Sequence, residues 1–207
     1  MDFFLKTKHW VLFLLMYGFI IFIQFLPVYF FITDSLNHTY FESEKFVLDM
    51  LGIIMFFTII SVIVLFAWIY SISIGLQKLF PDDIKYNKKA FKIFFVSPII
   101  FYFLLFVFIL SLAGGGIEYY IEANPFIFII IVFLVIMPLS FYSAFCQIFL
   151  TIYAAKSYKT ALLQRKVTFR DFVGEFFLIY FSMVGVWVLQ PKINRMYKKI
   201  AQEKQYY

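Results

Sequence analysis

Residues 172–189 of this chain, FVGEFFLIYFSMVGVWVL, form an apolar segment that decides the topology of the whole molecule. Its 18 residues reach the lower limit for a helix that crosses a bilayer, and they include a carboxylate, Glu175. If the segment crosses, the basic residues on its two flanks lie on opposite sides of a membrane. If it re-enters or lies at the interface, they lie on the same side.

The positions of the 18 Lys and Arg residues favour a segment that does not cross. Two precede the first apolar run, one lies within 33–45, and three groups of five lie within 77–92, 156–171 and 190–207. A crossing segment would leave 12 on the N-terminal side and 6 on the other, whereas a non-crossing segment gives 17 against 1. The connections are short enough for the positive-inside rule to apply. The rule therefore predicts a cytoplasmic N-terminus and a cytoplasmic tail.

The composition predicts a multi-pass membrane protein. Of 207 residues, 64% are hydrophobic and only 14% are charged, and a water-soluble fold cannot hide so much apolar surface. No small-residue cleavage site follows the first apolar run, so we expect a retained span. We predict an all-α, polytopic helix bundle that forms a single integral membrane domain. At about 20 residues per span, its parts are four transmembrane helices at about 10–32, 46–76, 93–112 and 125–155, a re-entrant or interfacial helix at 172–189 and a tail at 190–207.

Polar side chains within these spans are candidates for function, because a polar group in lipid is costly. Gln24 lies deep in span one, where an amide bonds to a neighbouring helix more often than to a substrate. Gln147 lies near the inner end of span four, and Asp49 near the outer end of span two, where it can reach water. Glu175 is either a proton or cation site, or an interfacial carboxylate stabilised by the dipole at a helix N-terminus. The second interpretation is the favoured one.

Patterns typical of enzymes and metal sites do not occur in the sequence. His9 and His38 fall on opposite sides of the predicted membrane without a cluster of Cys or carboxylates, so we expect no metal and no cofactor. No nucleophile elbow, HExxH or P-loop is found. Cys146 is the single cysteine, which rules out an intramolecular disulfide. The net charge of +6 lies in clusters that flank apolar segments, which favours anionic lipid headgroups over nucleic acid as partners.

The end of the chain carries a recognisable pattern, most specific in VTFRDFVGEFF and GVWVLQPKIN, within residues 155–194. Over this stretch and, more weakly, over KYNKKAFKIFF of the first inner loop, together about a quarter of its length, the chain resembles an uncharacterised family of small polytopic inner-membrane proteins of Gram-negative bacteria. The resemblance implies an inner-membrane location and a distinctive C-terminal segment, and it implies no activity. The matching positions are Gly174, Glu175, Gly185, Trp187, Gln190, Pro191 and Asn194.

A re-entrant segment needs a break in its helix, and we expect one where Gly185 is followed by Pro191. Members of the family usually carry a proline two residues before the glycine of this motif, where this chain has Met183. Such a proline would break the helix in the middle of the membrane. The chain departs from the family pattern at this position.

These features favour a non-enzymatic scaffold or accessory subunit of the inner membrane. Its basic cytoplasmic face would contact lipid headgroups or a membrane protein partner. The alternative is a small transporter or channel, working as a homo-oligomer and using Gln24, Glu175 and helices kinked at their prolines. The two functions differ in whether Glu175 is needed for the passage of an ion or solute.

Overall fold

The computed structural model describes residues 2–25, 28, 32, 43–111, 126, 129–130 and 132–203. This part of the chain is helical and contains no strand, which confirms the predicted all-α fold class. The helices are α1 (Asp2–Lys6), α2 (His9–Phe13), α3 (Ser43–Tyr70), α4 (Lys88–Ser111), α5 (Met137–Leu163), α6 (Phe169–Tyr180) and α7 (Ser182–Glu203).

Three of the helices adjoin short π-helical or 3₁₀-helical segments. α2 passes into a π-helix at Leu14–Gly18 and stays helical to Phe25. α3 passes into a π-helix at Ser71–Gly75 and then a 3₁₀-helix at Leu76–Leu79, and a π-helix at Val132–Ile136 precedes α5. A π-turn inserts an extra residue into a helix, so the side chains beyond it are rotated relative to those before it.

Three described helices are long and apolar enough to cross a membrane: Phe56–Leu79, Lys88–Phe108 and Phe133–Leu163. They overlap the predicted spans two, three and four, so a membrane protein with several spans is supported. The predicted first span includes a shorter apolar helix, His9–Phe25. Residues 33–42 of the predicted outer connection at 33–45 lie outside the described residues, as do the predicted connection at 113–124 and the side chain of Asp49.

The chain divides into two compact units, Met1–Ile84 with Ala154–Tyr207, and Lys85–Tyr153. The second unit contains α4 and the first part of α5. There the Asn87 side chain caps α4 by accepting hydrogen bonds from the backbone N–H groups of Lys89 and Ala90, at 3.0 and 3.1 Å. The two helices pack through aromatic rings, such as Phe94 and Phe149 with centroids 4.4 Å apart.

The first unit ends in a helical hairpin, α6 followed by α7, and its break corrects the expectation from the sequence. The break lies at Phe181, where the backbone leaves the helical region (φ −89°, ψ 58°), and not at Gly185. Val184 and Gly185 both donate backbone hydrogen bonds to the Phe181 carbonyl, at 2.9 and 3.0 Å, and so belong to the first turns of α7. Pro191 lies inside α7 without ending it.

Candidate functional site

A break separates α1 from α2, just before the apolar residues of α2. α1 ends at Lys6 and α2 begins at His9, and Lys8 between them has an extended backbone (φ −67°, ψ 145°). The end of a helix leaves backbone carbonyls without intrahelical partners. Away from water, such groups must find another donor.

Two amides on α7 supply those donors. The Gln190 side-chain nitrogen donates to the carbonyl oxygens of Phe4 and Thr7, at 2.7 and 3.0 Å. Asn194 donates to the same Thr7 oxygen at 3.1 Å. The Gln190 oxygen accepts a hydrogen bond of 2.8 Å from the indole N–H of Trp68, on α3. We call Thr7, Trp68, Gln190 and Asn194 the terminal clasp.

The spacing of the clasp residues follows from helix geometry. Gln190 and Asn194 are four positions apart, so both side chains lie on the face of α7 that meets the α1–α2 break. Gln190 and Trp68 are both fully buried. A primary amide can accept from an indole and donate to carbonyls at once, which neither a carboxylate nor an apolar side chain can do. The end of the GVWVLQPKIN pattern therefore has a structural role in holding the N-terminus.

Gly185 lies where α7 passes closest to α6. A Cβ atom at this position would lie 1.6 Å from the backbone carbonyl oxygen of Leu178, which no side chain can tolerate. Gly174, the other glycine of the pattern, has open space around it. Gly185 is thus required for close packing of the hairpin and not for flexibility.

α7 runs alongside α2 in the opposite chain direction. At the tip of the hairpin, the Ser182 hydroxyl hydrogen-bonds to the Tyr17 hydroxyl. The Trp187 ring, further along α7, lies 5.3 Å from the Phe13 ring and 4.9 Å from the His9 ring, measured between centroids. Gln190 then contacts Thr7, so most of the apolar half of α7 packs alongside α2.

Glu175 is paired with a cation. Its carboxylate lies 2.7 Å from the Lys159 ammonium on α5, and the two side chains are only 16% and 21% exposed. The sequence interpretation missed this partner because it considered only neighbours of Glu175 along the chain. Lys159 precedes the turn at 164–168, and Glu175 follows it. Each residue lies within about two helical turns of that turn, so their distances from it are similar. That symmetry is the signal that could have identified the pair.

We expect the Lys159–Glu175 pair to contribute measurably to folding. In a double-mutant cycle with Lys159→Met and Glu175→Gln, the coupling should be about 1–2 kcal/mol, between the values for exposed and buried pairs. The free energy of unfolding in detergent micelles gives this value. The Arg165–Asp171 pair is a matched control with a smaller expected coupling, because the Arg165 side chain is 56% exposed. A coupling near zero at Lys159–Glu175 would contradict the observed pairing.

α6 begins with a capping interaction at its N-terminus. The Thr168 backbone N–H donates to the Asp171 carboxylate at 2.8 Å, and Arg165 donates to the same group at 2.9 Å. The hydrogen bond from the Thr168 backbone, and then that from Arg165, lower the pKa of Asp171 to about 2. The carboxylate form is therefore preferred in the folded state.

The start of the hairpin should consequently be sensitive to acid. Because the folded-state pKa of Asp171 is depressed, its contribution is fully present above the unfolded pKa of about 4. It is lost as the pH falls toward about 2. Thermal unfolding followed by circular dichroism between these pH values should show this loss in the wild type and in Asp82→Asn. Asp171→Asn should lack this part of the pH dependence, and an unchanged profile would contradict the assignment.

Gln24 and Gln147 are not members of the clasp. Gln24 is exposed on the helix that continues α2. Gln147 belongs to the second unit, where its amide donates to the hydroxyl of Tyr102. Sequence reasoning did not identify Thr7, Trp68 or Tyr102, whose roles depend on contacts between distant parts of the chain. Among the described residues no group of three or more His, Cys, Asp and Glu could hold a metal ion.

Comparison of the chain with protein-family models, with curated proteins and with solved structures finds no match.

Proposed function

We propose that this chain is a scaffold or accessory subunit of the bacterial inner membrane, with four spans and a C-terminal hairpin that enters from the cytoplasmic side without crossing. The resemblance at residues 155–194 supports the location. The observation that carries the topology is the antiparallel match of α7 to α2, from Ser182 beside Tyr17 to Gln190 beside Thr7.

The lengths of the helices support a shallow hairpin. The 12 residues of α6 extend about 18 Å, less than a hydrocarbon core of about 30 Å. Tyr17, which meets the hairpin tip, lies only about 12 Å beyond His9 along the helix axis. The tip therefore reaches less than halfway across, and α7 returns toward the side from which α2 starts.

Further contacts between helix ends within the first unit support this topology. A Cβ on Gly75 would lie 2.9 Å from the Leu5 side chain, so the end of α3 meets α1. The Gln164 amide donates to the Leu79 carbonyl at 2.9 Å and to the Ala161 carbonyl at 2.6 Å, which joins the ends of α3 and α5. If these helix ends lie on one side of the membrane, the basic residues beside them lie there too. This agrees with the predicted distribution of 17 basic residues on the cytoplasmic side against 1 on the other.

The pairing of the polar candidates favours a scaffold over a transporter. Glu175 is neutralised by Lys159, Gln147 is bonded to Tyr102, and Gln190 uses its amide within the clasp. A proton or cation site needs a carboxylate that can exchange partners, and a pre-formed ion pair opposes that exchange.

The topology can be tested with single cysteines in a Cys146→Ser background. With Lys198→Cys, an impermeant thiol reagent should label inverted vesicles and leave intact spheroplasts unlabelled. Ser35→Cys, in the predicted outer connection, is the control that should show the opposite pattern. Labelling of Lys198→Cys in intact spheroplasts would rule out the four-span topology.

The scaffold role can be tested separately from the topology. The tagged protein, extracted from its native membrane in mild detergent, should co-purify with a larger complex, and proteoliposomes of the pure protein should show no flux. Ion or solute flux that Glu175→Gln abolishes would refute the scaffold role and support transport.

The alternative function, a small transporter or channel, is favoured by one set of observations. Ser71–Gly75 and Leu14–Gly18 are π-helical, and π-turns occur frequently at functional sites. The hydroxyl groups of Ser73 and Ser157 are buried and have no hydrogen-bond partner. Ser73→Ala should then abolish flux in proteoliposomes, whereas under the scaffold role it leaves complex formation intact.

A further inference from the structure

The exposed face of α7 changes its chemistry part of the way along the helix. In its first half the exposed side chains are apolar, with Val184 and Trp187 59% and 45% exposed. In its second half they are basic, namely Lys192, Arg195 and Lys198. The positions 184, 188, 192 and 195 follow the helical repeat, so they form a single stripe along the axis. We call Val184, Trp187, Val188, Lys192, Arg195 and Lys198 the α7 stripe.

The α7 stripe lies next to the α1–α2 break. Trp187, on one edge of the stripe, contacts the ring of His9 at 4.9 Å between centroids. Lys8, which immediately precedes His9, is also exposed. On the other side of the helix, the clasp holds α7 against Thr7, so the position of the stripe relative to Lys8 is fixed.

The basic residues of this surface have no acidic residues close to them along the chain. The sequence contains no Asp or Glu between residues 3 and 25 or between 176 and 198. The ion pairs Lys159–Glu175 and Arg165–Asp171 do not involve the stripe. The surface therefore presents cations that attract an anion from outside the protein.

We propose that the α7 stripe, together with Lys8, binds an anionic phospholipid of the cytoplasmic leaflet. The phosphate of the headgroup would lie among Lys192, Arg195 and Lys198, and an acyl chain would run along Val184, Val188 and Trp187. Only about 6 Å of helix separates Val188 from Lys192, which matches the boundary between hydrocarbon and headgroups. The inference rests on the proposed function, because it places α7 at the inner surface of the membrane.

A quenching experiment on the full chain tests this binding. Of the chain's 3 Trp residues, Trp68 is buried, so in Trp10→Phe the fluorescence accessible to lipid comes from Trp187. Vesicles contain phosphatidylcholine with a minor share of phosphatidylglycerol, and brominated acyl chains are placed on either lipid at equal amounts. We expect quenching by brominated phosphatidylglycerol to indicate about a fivefold local enrichment of that lipid.

Charge-removing variants define the site. Lys192→Gln with Arg195→Gln should make quenching by the two brominated lipids equal. The control, Lys88→Gln with Lys89→Gln, removes the same charge from exposed positions of the second unit and should keep the preference. Equal quenching by both lipids in the parent chain, or loss of the preference in the control, would overturn the lipid site. Absence of quenching by either lipid would instead overturn the proposed topology, because Trp187 would then lie outside the bilayer.

Discussion

Gly185→Ala is expected to be the most disruptive single substitution in the C-terminal hairpin. The added methyl group would lie 1.6 Å from the Leu178 carbonyl oxygen, so α6 and α7 would have to move apart. The obstacle is backbone and cannot rotate away, in contrast to the end of a flexible side chain. We expect the free energy of unfolding to fall by about 3 kcal/mol or more.

Gly174→Ala provides a matched control for this substitution. It makes the same chemical change in the same hairpin, at an exposed helical position with open space around it. Replacing a helical glycine by alanine there should be neutral or stabilising by up to about 1 kcal/mol. Thermal unfolding of both variants in detergent micelles makes the comparison. Equal stability of Gly185→Ala and the wild type would disprove the close approach of the two helices.

Gln190→Leu should have an effect of similar size through a different mechanism. The substitution keeps the approximate volume of the side chain and removes its hydrogen bonds to Trp68, Phe4 and Thr7. Asn194 still donates a hydrogen bond to the Thr7 carbonyl, but the Trp68 N–H and the Phe4 carbonyl lose their hydrogen bonds to the Gln190 side chain. At about 1–3 kcal/mol for each buried polar group left unpaired, we expect a loss of about 3–5 kcal/mol.

Two further variants separate this effect from a general loss of an amide. Gln24→Leu makes the same change at an exposed position and should leave stability nearly unchanged. Gln190→Glu keeps an acceptor for the Trp68 indole but cannot donate to carbonyls when ionised, so it should be nearly as unstable as Gln190→Leu. If Gln190→Glu has wild-type stability, the carbonyls of the α1–α2 break do not depend on this residue.

The sequence contained enough information to predict the helical class and the approximate positions of three helices long and apolar enough to cross a membrane. Long apolar runs have few alternatives, because the bilayer requires their backbone groups to be bonded within the same helix. The break of the hairpin was not predictable in this way. Phe181 is neither glycine nor proline, and Gly185, the predicted break point, serves to pack α7 against Leu178.

The contacts of the candidate functional residues were likewise not predictable from the segment in which each residue lies. Gln190, Asn194 and Trp187 were identified through the family resemblance, but their contacts are with residues near the other end of the chain. Glu175 was identified by the cost of a carboxylate in an apolar segment, and its partner Lys159 lies on the preceding helix. A pattern within one segment does not specify which distant segment packs against it.

The terminal clasp also has a consequence for biosynthesis. Its bond from Gln190 to Thr7 joins residues separated by 183 positions. The ribosome makes α1 and α2 early, so the Gln190 amide that donates to the carbonyls of Phe4 and Thr7 becomes available only when α7 emerges. Closure of the clasp therefore requires a chain whose last helix is complete, and a nascent chain stalled before Gln190 lacks the amide that donates to the carbonyls of Phe4 and Thr7.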